Sequence, residues 1–168
     1  MAGDGEEIRM VVKGLMLDPG SNAPIVILRE EGSELFLPIW IGVFEASAIQ
    51  LSLEGVSAQR PMTHDLLAAT FRTMGVEVDK VVIHDLLDNT FFATIFAHRG
   101  AETWQIDSRP SDALALALRL DAAIFVHESV LRKAHSESGA PQGSGDDEDK
   151  LRKWFEELDP DDLGKYTM

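Results

Sequence analysis

Cysteine is absent from this 168-residue sequence, and its absence excludes three kinds of site. Without a thiol there is no disulfide, no thiolate zinc centre and no cysteine nucleophile. Long apolar runs are absent as well, because no stretch approaches the roughly 18 apolar residues of a membrane span. Residues 1–7 are acidic and lack the basic and apolar regions of a signal peptide. We therefore expect a cytoplasmic protein that has no membrane partner.

Familiar cofactor and hydrolase motifs are missing too. The sequence contains no G-x-G-x-x-G, no Walker-type Gly-Lys-Ser/Thr and no G-x-S-x-G. Nucleotide cofactors and serine-hydrolase chemistry therefore lose support. There is also no H-E-x-x-H pair and no EF-hand loop, so any metal site must be assembled from residues that are scattered along the chain.

Positive charge is scarce. The 15 Lys and Arg residues stand against 29 Asp and Glu residues, which gives a net charge of −14. Residues 135–168 hold four basic and ten acidic residues and account for −6 of this charge. A protein that binds a phosphate backbone normally presents a basic face. Any nucleic-acid function must therefore depend on a local basic pocket or on metal ions.

Hydrophobic spacing predicts seven strands and four helices in the order βββααβββαβα. This order predicts an α+β fold rather than a doubly wound sheet. Pro38 indicates an edge strand or a bulge, because proline cannot donate to a strand ladder. The predicted strands cover residues 8–18, 24–29, 35–41, 76–85, 90–96, 103–107 and 123–126, and the predicted helices cover residues 43–54, 63–74, 112–120 and 129–134.

Two of these helices carry further predictions. The helix over residues 112–120 is rich in Ala and Leu on all sides, so we expect it to be buried. The helix that begins at Thr63 has a single apolar face. That face is predicted to consist of Leu66, Leu67, Thr70, Phe71 and Met74.

Composition divides the chain into four parts. Residues 1–7 are an acidic extension and residues 8–134 form the folded domain. Residues 135–149 have the composition of a flexible acidic linker, and residues 150–168 hold a short helix and a tail. In that last part Trp154, Phe155 and Leu158 share one side of the predicted helix, which is too short to fold alone. It must dock on the body or a neighbour, or bind a protein partner.

Two helix openings share one local pattern. Arg60-Pro61-Met62-Thr63-His64-Asp65 and Arg109-Pro110-Ser111-Asp112 each place Arg-Pro, a hydroxyl and an acid at a helix start. The hydroxyl and the acid are expected, since they cap free N–H groups and complement the positive helix end. The arginine is not expected, because its charge opposes the helix dipole. Each arginine should either be held by a carboxylate or receive an anion.

Other charged residues extend this pattern. Glu45, Asp107 and Glu128 are the candidates to hold the arginines. His64 can move a proton near neutral pH or ligate a metal, although taken alone a histidine here is more often a capping or surface residue. Acids at strand ends and helix starts can converge on one rim of a sheet. There they would bind Mg²⁺ or Mn²⁺, which activates water and neutralises phosphate charge. These acids are Glu45, Asp65, Asp85, Asp107, Asp112 and Glu128.

Four segments carry a resemblance to a known family. They are Leu37-Pro38-Ile39-Trp40-Ile41-Gly42 with Glu45-Ala46, Arg60-Pro61-Met62-Thr63-His64-Asp65-Leu66-Leu67, Asp107-Ser108-Arg109-Pro110-Ser111-Asp112-Ala113 and Ile124-Phe125-Val126-His127-Glu128. In this order, over roughly residues 8–134, they resemble the bifunctional nuclease domain family. The resemblance implies an α+β fold with a bent, partly barrel-like, mostly antiparallel sheet. It also implies self-association as a dimer or trimer and nuclease activity on DNA and RNA, as reported for plant members.

The matched positions, interpreted physically, predict phosphodiester hydrolysis at one site. The arginines and helix openings would hold the phosphate, His64 would move a proton, and acids would orient water or a divalent ion. The predicted catalytic residues are His64, Asp65, Asp107, Asp112 and Glu128. The predicted substrate-binding residues are Arg60, Thr63, Arg109 and Ser111, and the candidate metal ligands are Glu45, Asp107 and Asp112.

Two other functions remain open. In the first, the chain is a non-catalytic, oligomeric binding or regulatory module whose Arg-Pro openings are structural arginine–carboxylate corners. Its acidic C-terminal helix would then recruit a protein partner, and the net charge of −14 favours this interpretation. In the second, the helix openings sense a small anion or nucleotide without turnover.

Overall fold

Turn residues that tolerate a left-handed backbone separate the first strands. In the computed structural model, which describes residues 5–137, Asn22 and Gly32 have φ angles of 59° and 76°. Glycine and asparagine adopt this conformation more readily than other residues. The strands that these turns separate are β1 (Glu7–Leu17), β2 (Pro24–Glu30) and β3 (Phe36–Trp40).

The remaining elements confirm the predicted order βββααβββαβα. Two helices follow the first three strands, and three further strands precede the last two helices and strand β7. The helices are α1 (Val43–Leu53), α2 (Thr63–Thr73), α3 (Pro110–Leu120) and α4 (Glu128–Glu137). The strands are β4 (Glu77–Leu87), β5 (Thr90–Arg99), β6 (Glu102–Ser108) and β7 (Ala123–His127).

All seven strands form one sheet in the order β3-β2-β1-β7-β4-β5-β6. Strand β7 pairs antiparallel with β1 and parallel with β4, and every other pairing is antiparallel. Register shifts in β1 and β4 curl the sheet, since bulges bend a strand. The sheet is not closed into a barrel, because β3 and β6 remain its edges. The predicted α+β fold with a bent, mostly antiparallel sheet is confirmed, and Pro38 lies in edge strand β3 as predicted.

Helix α3 lies at the centre of the main core. Its residues from Ala113 to Ala117 are almost fully buried, which confirms the prediction from its composition. Helices α1 and α2 both pack against α3. The buried Ala, Val, Ile and Leu residues of the four helices all belong to this core, together with one face of the sheet.

A second, smaller cluster of buried residues lies on the other face of β1, β2 and β3. On β2 the residues alternate, so that Val26 and Leu28 join the main core while Ile25 and Ile27 join the second cluster. We call this cluster the outer patch. It consists of Met16, Ile25, Ile27 and Phe36.

The apolar face predicted for α2 is only partly right. Leu67 and Phe71 pack against the main core, but the side chains of Leu66 and Met74 are exposed. Ala68, which was not predicted, is the fully buried residue of this helix. The contact face is narrower than predicted because α2 lies on α3 at the margin of the domain.

Two predictions fall on the ends of the chain. The linker over residues 135–149 and the helix within residues 150–168 lie largely outside the described residues, as do most residues of the acidic extension. Within residues 5–137, no helix is long and apolar enough to cross a membrane.

Candidate active site

The opening of α3 lacks the cap that its sequence suggests. Arg109 takes the N-cap position with an extended backbone, and Pro110 follows as the first helical residue, where its missing N–H is not needed. No side chain within residues 5–137 caps this helix. Ser111 is buried, and the carboxylate of Asp112 turns to two other side chains. The predicted capping role of this hydroxyl and acid is therefore wrong, and Asp112 takes part in tertiary contacts instead.

Asp112 connects the two Arg-Pro openings. Its Oδ1 lies 2.9 Å from Nε2 of His64, and its Oδ2 accepts a hydrogen bond of 2.8 Å from Nε of Arg109. Burial raises the pKa of Asp112, but the hydrogen bonds from Arg109 and His64 outweigh it and leave the pKa below its ordinary value. Asp112 is therefore a carboxylate at neutral pH, and it accepts a hydrogen bond from Nε2 of His64. In neutral His64 this leaves Nδ1 as the nitrogen that can accept a proton.

Glu45 joins the same group from α1. Its Oε1 accepts a hydrogen bond of 2.9 Å from Nη2 of Arg109. Its other oxygen, Oε2, lies against Gly42, the N-cap residue of α1, so close that a Cβ at position 42 would collide with it. This position of the Glu45 carboxylate therefore requires glycine at position 42. We call Glu45, His64, Arg109 and Asp112 the Arg109 cluster.

Arg109 is the exposed member of this cluster. Its side chain is 65% exposed, compared with 12% for His64, 17% for Glu45 and 28% for Asp112. Hydrogen bonds to Asp112 and Glu45 raise the pKa of Arg109 further, so it stays cationic. Nε and Nη2 bind the two carboxylates, whereas Nη1 has no hydrogen-bond partner among residues 5–137. That nitrogen can donate to an incoming anion.

The opening of α2 is capped by its acid. The helix begins at Thr63, as predicted, and Met62 is the N-cap residue. The N–H of Met62 donates to Oδ2 of Asp65 at 2.9 Å, while Thr63 is exposed. Oδ1 of Asp65 accepts a hydrogen bond of 2.6 Å from Nε of Arg119. This bond is the main cause that lowers the pKa of Asp65.

Arg119 is the important residue that sequence reasoning missed. Its side chain is only 9% exposed. Besides binding Asp65 of α2, it donates through Nη1 to the carbonyl of Ala115 at 2.9 Å and through Nη2 to the carbonyl of Ala48 in α1 at 3.0 Å. Arg119 therefore ties α1, α2 and α3 together. We call Asp65 and Arg119 the Arg119 cluster. The one sequence signal was a basic residue in the last turn of a helix, which is too common to be specific.

Besides Thr63, Asp65 and Ser111, three further predicted residues do not join the Arg109 cluster. Arg60 is exposed and makes no ion pair with any described residue. Glu128 binds Arg132 at 2.6 Å within α4. Asp107 is exposed on β6 in the register position opposite Thr94, and its charge acts on His84. None of these three makes a hydrogen bond or ion pair with a member of the cluster.

The candidate metal ligands do not form a common centre. Glu45 and Asp112 share the single positive charge of the Arg109 guanidinium, and Asp107 bonds to neither. Among residues 5–137 there is no group of three or more His, Asp or Glu side chains that could hold a metal ion. Binding of Mg²⁺ or Mn²⁺ therefore stays a prediction.

The Arg109 cluster combines two chemical capacities. The His64–Asp112 pair has the geometry in which a carboxylate orients an imidazole and stabilises its protonated form. The exposed Arg109 supplies a fixed positive charge beside that pair. Proton transfer next to an anion-binding group is the requirement for hydrolysis of an ester that carries negative charge.

Comparisons with known proteins place this domain among its relatives. The model of the Bifunctional nuclease domain matches residues 26–139. An uncharacterized protein of Mycobacterium tuberculosis strain H37Rv is 36% identical over 164 residues, which cover 94% of this chain and 97% of that protein.

Plant relatives match a smaller part of the chain. Bifunctional nuclease 2 of Oryza sativa subsp. japonica is 29% identical over 134 residues, which cover 76% of this chain and 41% of the rice protein. Bifunctional nuclease 1 of Arabidopsis thaliana is 27% identical over 132 residues, which cover 74% of this chain and 41% of that protein. More than half of each of these two plant proteins therefore lies outside the region that matches this chain.

Proposed function

The chain belongs to the bifunctional nuclease domain family, and from that membership and the geometry of its site we propose that it hydrolyses phosphodiester bonds of DNA, RNA or both. The relatives named Bifunctional nuclease support the reaction class. The observation that carries the proposal is the carboxylate of Asp112, which is bonded to His64 on one side and to the exposed Arg109 on the other.

His64 serves as the proton carrier in this proposal. With Nε2 held by Asp112, neutral His64 accepts a proton at Nδ1 from the attacking water. Water oxygen bonds to phosphorus, the bond to the leaving ester oxygen breaks, and a proton is returned to that oxygen. The ionised Asp112 stabilises the imidazolium that forms between the two steps.

Arg109 holds the scissile phosphate in this proposal. Nε and Nη2 stay on the two carboxylates, which fix the guanidinium plane, and Nη1 donates to a phosphate oxygen. The charge of the chain makes this fixed arrangement important, because a body with a strong negative net charge cannot attract a polyanion over a broad surface. Binding would then be local and would weaken steeply with salt.

A nuclease assay on stringently purified chain tests the proposal. We expect His64→Ala to lower the rate on DNA or RNA by about 10²- to 10⁴-fold, the usual contribution of a positioned general base. The matched control is His98→Ala, because His98 also forms a histidine–aspartate pair, with Asp79 at 2.9 Å. Arg132→Ala is the control for Arg109→Ala, since Arg132 is likewise an exposed arginine bound to a carboxylate.

The controls decide how the assay is interpreted. Loss in the two site variants with full activity in the two controls supports the proposal. Activity that survives both His64→Ala and Arg109→Ala comes from a contaminant or another site and contradicts it.

A non-catalytic binding module is the second candidate function. It is favoured by the two carboxylates of Glu45 and Asp112 that already bind Arg109, because together they carry more charge than the guanidinium. In this case the Arg109 cluster is a structural corner, and purified chain binds nucleic acid or a protein without turnover. Binding and unfolding measurements on the same four variants separate the two functions. If the Arg109 cluster is a structural corner, its substitutions lower the free energy of unfolding, and the parent chain binds without hydrolysing its ligand.

A further inference from the structure

The outer patch is buried on a face of the sheet that the described helices leave uncovered, apart from His135 near the end of α4, whose ring lies beside that of Phe36. Its four side chains are only 1–7% exposed. The buried Ala, Val, Ile and Leu residues of the described helices, in contrast, all belong to the main core on the other face. A patch of four large apolar side chains on a sheet face requires a cover to reach such low exposure.

The sequence of β2 independently indicates a strand that is covered on both sides. Its first five residues, from Pro24 to Leu28, are all apolar and all buried. An antiparallel strand with one solvated face alternates apolar and polar residues, whereas a continuous apolar run is typical of a strand buried on both faces. The main core accounts for one face of β2. Something else must account for the face with Ile25 and Ile27.

The chain leaves the described region beside this patch. Near the end of α4, Nε2 of His135 lies 3.2 Å from the carbonyl oxygen of Phe36, and the two rings are 6.4 Å apart. Residues 138–168 follow. The sequence of residues 138–150 is rich in Gly, Ser and Asp, and a chain of that composition and length has a typical span of about 20 Å, which is enough to cross a three-stranded face.

The sequence after the linker supplies a suitable apolar face. Leu151, Trp154, Phe155 and Leu158 have the spacing i, i+3, i+4, i+7 of one helix face. The segment also lies outside the family domain, because the match to that domain ends at residue 139. The match to the mycobacterial protein covers 94% of the chain and must therefore include part of this segment. We propose that residues 151–158 dock as a helix on the outer patch of the same chain and cover it.

The lack of cysteine and the three tryptophans of the chain make a direct test possible. In full-length chain with Trp40→Phe and Trp104→Phe, Trp154 is the one remaining tryptophan. We expect its emission to be blue-shifted and its quenching by acrylamide to be severalfold weaker than in a peptide of residues 148–168. Phe155→Glu, which places a charge on the proposed docking face, should return both values to those of the peptide.

A fluorescent label reports the position of the helix. Pro38 on β3 lies opposite Ile27 of the outer patch. In the same chain with Trp40→Phe and Trp104→Phe, a bimane label on Pro38→Cys should therefore be quenched by Trp154 at contact range, and its emission should recover with Trp154→Phe. A label on Ser57→Cys, in the exposed loop between α1 and α2, is the matched control and should stay bright.

Three results would overturn the proposal. The first is a Trp154 emission that is identical to that of the peptide, and the second is equal quenching at both label sites. The third is a labelled chain with Trp154→Phe whose emission is quenched when unlabelled chain, which still has Trp154, is added. This last result would assign the cover to a second copy of the chain.

Discussion

The two arginine–carboxylate clusters of this domain differ in what their arginines contact. In the Arg119 cluster the guanidinium is almost fully buried and binds Asp65 and two backbone carbonyls. In the Arg109 cluster it is mostly exposed and binds two carboxylates, one of which also holds a histidine. Both lie at the junction of α1, α2 and α3, and both use an acid from a helix opening.

The difference separates architecture from chemistry. A buried guanidinium that donates to backbone carbonyls of two helices fixes their relative position, and its loss leaves polar groups unsatisfied. An exposed guanidinium in high dielectric contributes little to stability, with a typical value of about 0–1 kcal/mol. We therefore expect substitutions in the Arg119 cluster to change the free energy of unfolding and substitutions in the Arg109 cluster to change the reaction rate.

Among conservative substitutions in the two clusters, the largest effect on rate should come from Arg109→Lys. Lysine keeps the charge but cannot hold Glu45 and Asp112 while it also donates to a phosphate. We expect the hydrolysis rate to fall by about 10²- to 10³-fold, as for the loss of one transition-state donor. The midpoint of denaturant unfolding should stay nearly the same. A large drop in that midpoint would show that Arg109, like Arg119, has a structural role, and the contrast between the two clusters would be lost.

The largest effect on stability should come from Asp65→Ala. It leaves the buried Arg119 without its carboxylate. Because the Asp65 side chain is itself 36% exposed, we expect a loss of about 2 kcal/mol, the usual contribution of a hydrogen bond to a charged group. Denaturant unfolding measures this loss. Glu128→Ala is the control, because its exposed pair with Arg132 should contribute less than about 0.5 kcal/mol. Equal losses in the two variants would contradict the assignment of Arg119 to architecture.

A smaller effect on rate is expected from Gly42→Ala. The added Cβ displaces the Glu45 carboxylate and with it the guanidinium of Arg109, so we expect about a tenfold loss of activity from misplacement. Gly14→Ala is the matched control, since a Cβ there meets no described residue within 4 Å. Activity that is unchanged in Gly42→Ala would show that Glu45 does not position Arg109 for the reaction.

The smallest expected effect is on how strongly acid lowers the free energy of unfolding. The hydrogen bond from Arg119 lowers the pKa of folded Asp65 below its ordinary value of 3.8. The carboxylate therefore contributes stability that is present above the ordinary pKa and is lost as the pH falls through the folded one. Denaturant unfolding between pH 6 and pH 3 should show a weaker loss of stability in Asp65→Asn than in the parent chain. Parallel curves would show that Asp65 contributes nothing to acid sensitivity.

Local rules predicted the elements of the fold but not the contacts between them. The strand and helix order, the edge position of Pro38 and the burial of α3 follow from spacing and composition, which act over a few residues. The pair of His64 with Asp112 joins residues 48 positions apart, and that of Asp65 with Arg119 joins residues 54 apart. Such pairs depend on how α2 lies on α3, which no local pattern specifies.

The same limit explains which site predictions changed. Glu45 was correctly expected to hold an arginine, whereas Asp107 and Glu128 were wrong as partners of Arg109. Asp112 was expected to cap α3 and in fact binds Arg109 and His64. An acid in a first turn has the same sequence signature in either role, so only the tertiary packing distinguishes them.

Strand β7 has a consequence for how this chain is synthesised. In the part of the chain that the structure describes, its five residues are the only link within the sheet between the unit β1–β3 and the unit β4–β6. Those units lie earlier in the chain, so on the ribosome they can form their local hairpins but must wait for residues 123–127 before they join. Until then the edge strands β1 and β4 are open to pairing with other chains. Aggregation during synthesis should therefore be most sensitive to changes in β7, although it is among the shortest strands of the sheet.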